Sequence, residues 1–204
     1  MAIKAAMTGH LVLATLHTTN ALGAIPRLVD LGVPAYLLEE TLLAVMSQRL
    51  VRRLCERCSV PLTPENEEYE MTARWLQNDI GSARASAGCG SCDGSGYSGR
   101  LAIAEVFLPD DETRPFIRLA GGGVAGPRVG LEGGPTTLEE AAIAQGFEEL
   151  GVDAAKKVRR GATTMSEILR VHRLEGPDES DDDADGASPS EPHGESDQAE
   201  ERAA

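Results

Sequence analysis

The four cysteines of this chain fall into two pairs of the same spacing, Cys55-Glu-Arg-Cys58 and Cys89-Gly-Ser-Cys92, with thirty residues between the pairs. Two short turns that each present two thiolates can close a tetrahedron around one Zn²⁺, as structural zinc sites do, and no cysteine is left over. Four thiolates fill that coordination sphere and leave no position for a water, so the metal reading is structural rather than catalytic. The competing chemistry is redox, because a CxxC also forms disulfides and four cysteines allow three pairings. The N-terminus shows no charged stretch followed by an apolar run and a small-residue cleavage site. The expectation is therefore reduced thiols.

Histidines bound a second group of interest, His10-Leu-Val-Leu-Ala-Thr-Leu-His17, followed by Thr18-Thr19-Asn20. A short, nearly continuous apolar run of this kind suits a strand buried on both faces of a parallel sheet. On such a strand the two histidines stand about 23 Å apart and cannot serve one small site. Ligands of open α/β sheets sit beyond the carboxyl ends of the strands, which selects His17 and Thr18 over His10. An ordinary hydrogen-bonded histidine is the alternative.

The elements that must position these groups follow from the flanking residues. Thr18-Thr19-Asn20 can cap a helix over 21–31 that Gly32 stops, with Pro26 inside it as a source of bending. A second helix is predicted to start at Pro34 and carry Leu38, Leu42, Val45, Met46 and Leu50 at helical spacing. Arg49, Arg52 and Arg53 then complement the negative carboxyl end of that helix, with an anion-binding role as the alternative. Further on, Thr137-Leu-Glu-Glu140 and Thr164-Met-Ser-Glu167 have the form of capping boxes and introduce helices reaching Gln145 and Val171. Gly121 to Pro135 is glycine-rich, without periodicity, and reads as a flexible loop.

Charge divides the 204 residues unevenly. The formal net charge is −14, yet the stretch from Glu175 to Ala204 holds twelve acidic residues against Arg202 alone, which leaves 21 acidic and 18 basic side chains before it. The stretch 175–204 has almost no apolar residue to bury, so it is expected to be disordered, as a solubilising tail or an electrostatic arm. Aromatics number three Phe, three Tyr and one Trp, with no aromatic and basic face for nucleic acid. No run of eighteen apolar residues spans a bilayer.

The segments Thr8–Ala21 (TGHLVLATLHTTNA) and Gln48–Cys58 (QRLVRRLCERC) resemble the ATPases of type II secretion and type IV pilus assembly. Cys89–Cys92, Ser95-Gly-Tyr-Ser-Gly-Arg100 with Leu101–Glu105, and Gly161–Val171 (GATTMSEILRV) continue the resemblance in the same order, so that it covers most of residues 1–174. The first segment looks like the histidine box of that family. The resemblance implies an ATP-hydrolysing ring, usually a hexamer, whose P-loop domain of RecA type opens and closes to move an inner-membrane platform protein from the cytoplasmic side. It makes His17 a γ-phosphate sensor and Cys55, Cys58, Cys89 and Cys92 the ligands of a zinc hairpin that projects from the core.

One departure matters most. No GxxxxGK[ST] occurs, so the loop that cradles phosphates and supplies a lysine and a magnesium-binding hydroxyl is missing, as is the acidic strand that polarises Mg²⁺. The expectation is an α/β chain corresponding to the C-terminal part of a RecA-like P-loop ATPase domain, inactive towards ATP by itself. Its predicted parts are a partial core with the histidine box over 1–54, a four-cysteine zinc insertion over 55–99, a return strand and small helical subdomain over 100–174, and the acidic tail over 175–204. A non-catalytic zinc module docking on a secretion platform is the alternative function. Cys89-Gly-Ser-Cys92-Asp-Gly-Ser-Gly96 also fits the CxxCxGxG repeat of J-domain chaperones, but that family repeats it four times and no HPD tripeptide occurs here. A nucleic-acid-binding zinc ribbon is disfavoured by the acidic balance.

Overall fold

The computed structural model of the chain describes residues 2–120 and 134–171. The glycine-rich interruption falls almost wholly, and the acidic tail wholly, outside the described residues. The described residues form one compact unit.

The unit begins with a short helix, α1 (Ala2–Met7), after which 10–17 runs without regular structure. The strand expected there does not form. Leu11 and Leu13 are 75% and 89% exposed, and the described strands make two two-stranded antiparallel sheets, neither of which offers this run a neighbour. An apolar strand is held by pairing on its edges and burial on its faces, and here it has neither. Helix α2 (Ala24–Asp30) begins three residues later than its sequence signal, because the Asn20 carboxamide accepts from Gly23 N–H at 2.8 Å and closes a turn first. Pro26 thus lies in the first helical turn, where no intrahelical N–H is lost. Gly32 ends it as expected, at φ 88°, with Gly32 N–H on Val29 O and Val33 N–H on Leu28 O.

Helix α3 (Ala35–Thr41) follows Pro34 but stops at Leu42, which is extended, and Val45–Leu54 is a strand, β1. The long helix read from Leu38 to Leu50 is therefore wrong in its second half. Val45, Ser47, Arg49 and Val51 alternate with Met46, Gln48 and Leu50, and the odd-numbered face is the more buried. Val51 is fully buried while Leu50 is 53% exposed, the reverse of the helical reading. The arginines are accordingly strand residues, not complements of a helix end. The partner of β1 is β4 (Tyr97–Phe107), antiparallel, from Val45 opposite Phe107 to Leu54 opposite Tyr97, with a register irregularity between Arg52 and Leu54.

Between them lie β2 (Val60–Pro61), α4 (Tyr69–Trp75) and β3 (Arg84–Ala85), with β2 and β3 paired antiparallel. After β4 come α5 (Arg114–Leu119), α6 (Leu138–Ala144), α7 (Leu150–Arg159) and α8 (Met165–Val171). The Thr137 capping box is complete: Thr137 Oγ1 accepts from Glu140 N–H, and the Glu140 carboxylate accepts from Thr137 N–H. At Thr164 only half forms, since Thr164 Oγ1 accepts from Glu167 N–H while the Glu167 carboxylate turns elsewhere.

Two apolar clusters hold the unit. One joins Val51 and Ile103 of the β1–β4 ladder to Ala154 and Val158 of α7 and Met165 and Ile168 of α8, and it also takes in Leu62, Leu76, Ala83 and Ala85. The cysteine-bearing segment thus shares its core with the last two helices. The other gathers Ile25, Leu38, Ile117 and Ala142 around Phe107, whose ring meets Phe147 edge to face at 6.1 Å. Burial of a large aliphatic side chain contributes about 1.5–3 kcal/mol, so both clusters matter to a unit of this size.

Candidate metal centre and histidine segment

The first cysteine turn leaves the end of β1 and the second enters β4, so the antiparallel ladder brings two sequence-distant CxxC motifs to one place. In the first turn Cys58 N–H and Ser59 N–H both donate to Cys55 O, at 3.3 and 2.9 Å. In the second, Cys92 N–H and Gly94 N–H donate to Cys89 O, at 3.2 and 2.9 Å. Asp93 and Gly94 take positive φ to make that reversal. Gly88 is needed beside it: a Cβ there would stand 2.5 Å from Gly94 O. Arg57 spans the two turns, its guanidinium donating to Ser91 Oγ at 2.9 Å.

All four Sγ atoms lie within 4.8 Å of one another, and Cys92 Sγ is 3.8 Å from both Cys58 Sγ and Cys89 Sγ. Four sulfurs bound at ~2.3 Å to a common centre are about 3.8 Å apart, so the cluster has the dimensions of a tetrathiolate zinc site. The cysteines are free, not paired as disulfides. Cys55 and Cys92 are buried, Cys58 and Cys89 partly so. Burial opposes the Cys92 thiolate, but the N–H groups of Cys89 and Gly96, each 3.3 Å from its sulfur, and the neighbouring thiols outweigh it and bring Cys92 down to about 6. Burial, followed by hydrogen bonds with the other three cysteines, pushes Cys58 up to about 12. Four sulfurs this close cannot all ionise unless a cation offsets the charge, and a divalent ion does so. The four cysteines could hold such an ion with every ligand position filled.

His17 lies on the exposed, irregular stretch that precedes α2, and His10 is exposed too, with Nδ1 3.0 Å from Thr8 Oγ1. The turn that follows His17 is fixed more firmly than the histidine itself. Arg49 of β1 donates to Thr19 O at 3.4 Å, and the Ala21 N–H donates to the Glu105 carboxylate. Glu105 is only 4% exposed and also accepts from Leu150 N–H at 2.9 Å, so it joins the histidine segment to the start of α7. It lines a cavity of ≈ 350 Å³ with Asn20, Pro26, Thr137 and Phe147. The four cysteines come together as their spacing predicts. His17 belongs to a different part of the chain.

Two carboxylates of consequence escaped the sequence reading. Glu105 sits on the inward face of β4 between Ile103 and Phe107, and a charge at period two among buried apolar residues was the available signal. Glu167 was visible only as a helix cap. Its side chain has no exposure, accepts from Arg52 N–H at 2.9 Å, and pairs with Arg52 at 2.8 Å and Arg170 at 2.7 Å. Burial opposes its ionisation, but the two guanidiniums and the Arg52 N–H prevail and hold the carboxyl at about 2.

The sequence that builds this ladder, the four-cysteine cluster and the histidine segment has relatives. The family described as Type II/IV secretion system protein matches residues 1–170, and the chain belongs to that family. It is 42% identical over 173 residues to the type II secretion system protein HxcR of Pseudomonas aeruginosa, covering 85% of this chain and 30% of that protein. It is 41% identical over 174 residues to the type IV pilus assembly ATPase PilB of Thermus thermophilus, covering 83% of this chain and 18% of that one. The type II secretion system ATPase E of Vibrio cholerae is 35% identical over 173 residues, covering 84% and 31%. The chain thus spans about a third or less of the length of these relatives. Among the described residues no helix is long and apolar enough to cross a membrane.

Proposed function

We propose that this chain is the portion of a secretion or pilus-assembly motor ATPase that follows the phosphate-binding loop, and that it contributes the histidine segment and a structural zinc centre to that motor. The family match over residues 1–170, with relatives named as type II secretion and type IV pilus ATPases, carries the reading. The zinc is held by Cys55, Cys58, Cys89 and Cys92, where it fixes the two turns and takes no part in hydrolysis. His17 senses the γ-phosphate of a nucleotide whose phosphates and Mg²⁺ are gripped by residues outside these 204. The motor works as a hexameric ring on an inner-membrane platform protein, at the cytoplasmic face.

The test is to assay ATP turnover by the purified chain alone and together with a P-loop-bearing segment of a relative. The chain alone is expected to be inactive, the mixture active, and His17→Ala in the mixture slow. Steady hydrolysis by the clean chain alone contradicts the proposal. Binding to the platform protein without restored turnover favours a non-catalytic docking module instead.

A further inference from the structure

The metal-binding turns are held from a part of the chain that carries no cysteine. Gly96 and Tyr97 stand at the junction of the second turn with β4, and Gly96 touches both halves of the cluster: its N–H donates to Cys92 Sγ at 3.3 Å, and its carbonyl accepts from Cys55 N–H at 2.9 Å. A shift of this dipeptide therefore moves the backbone of one cysteine and removes a donor from the sulfur of another. Two contacts on Tyr97 stop it from shifting. The Arg52 guanidinium lies over the Tyr97 ring, 4.1 Å from its centre, and the Tyr97 hydroxyl is 2.8 Å from Thr164 Oγ1. Arg52 is itself fixed by Glu167 through both its main-chain N–H and its guanidinium, while Thr163 Oγ1 donates to Arg52 O at 2.8 Å. The first turn is tied to the same segment, since Leu54 N–H donates to Ala162 O at 2.9 Å.

We infer that Glu167, Arg52 and Tyr97 are positioning residues for the four-cysteine centre, and that residues 162–167 govern how slowly it gives up its metal. This rests on the zinc reading above. The buried carboxylate supports it further. An ion with no exposed side-chain surface costs desolvation free energy that only tight, well-oriented partners offset, so its two arginines are held in one arrangement. Partners that orient metal ligands from behind change metal affinity by about 10–100-fold when removed.

The experiment follows zinc release from the folded chain to a chromogenic chelator, well below the melting temperature of each variant, with thermal unfolding recorded in parallel. Glu167→Gln and Tyr97→Leu are expected to release zinc about tenfold faster than the native chain, or more. Tyr97→Phe keeps the ring beneath Arg52 but loses the Thr164 contact, and should fall between. Thr137→Ala weakens a helix cap in the other apolar cluster and should release zinc at the native rate. Replacement by cobalt adds a spectroscopic reading, with the thiolate absorption altered in Glu167→Gln and Tyr97→Leu and unaltered in Thr137→Ala. Should Glu167→Gln fail to fold, the two Tyr97 variants decide. Release from Tyr97→Leu at the native rate overturns the inference and leaves the zinc centre standing. A native chain that takes up no zinc overturns both.

Discussion

Glu167 carries its charge without side-chain exposure because two guanidiniums and a main-chain N–H from β1 converge on it. Folding lowers its pKa from 4.5 to about 2, so the fold favours the ionised form. Its contribution, on the order of 3 kcal/mol, is complete above pH ~4.5 and is lost as the pH falls through about 2. An NMR titration of the Glu167 carboxyl should find its midpoint near 2, and a midpoint near 4.5 would show that the clamp on Arg52 does not form. The cysteines make a second case of side chains that depend on one another. Cys89→Ser should lower zinc occupancy and loosen residues 55–107, read as new sites of limited proteolysis, whereas an unchanged cleavage pattern contradicts a structural metal. Gly88 is limited by space: at φ 90° and with Gly94 O where its Cβ would go, Gly88→Ala should destabilise the second turn by about 1–3 kcal/mol. Denaturation of the two proteins side by side checks this.

At the scale of elements, β1 is the informative failure. Leu38, Leu42, Val45 and Met46 fit a helix by spacing, yet the same sequence also alternates from Val45 onwards, and local pattern did not decide between the two. The decision came from β4, far along the chain, which offers an antiparallel partner from Val45 opposite Phe107 to Leu54 opposite Tyr97. Val51→Ala is therefore expected to cost about 1.5–3 kcal/mol and Leu50→Ala under about 0.5, the order a helix would have reversed. Equal costs for the two would count against the strand. The run 10–17 failed in the opposite sense, because its composition is that of a strand while none of the described strands lies beside it. Signals confined to a few residues read well. The Thr137 capping box and the stop at Gly32 needed no distant partner to be recognised. The CxxC pairs were legible for a related reason, since the chemistry of four thiolates supplied the long-range contact that periodicity could not. Glu105 and Glu167 were not legible as a site, because each is defined by backbone N–H groups that only the tertiary fold brings near.

Across the described residues, the segment between the two CxxC turns, α7 and α8 share one apolar core, and the histidine segment is tied to that body through Glu105 and Arg49. The family profile covers the same body, while the relatives extend well beyond the length of this chain. Glu105 of β4 joins the turn after His17 to the start of α7 through the N–H groups of Ala21 and Leu150. We propose that one zinc ion bound by the four cysteines holds this body in shape. Native mass spectrometry of the purified chain, joined to X-ray absorption at the zinc edge, reads both the metal content and the ligand set. One zinc per chain with four sulfur neighbours at ~2.3 Å is the predicted result. A folded chain that carries no metal and four freely reactive thiols would contradict it.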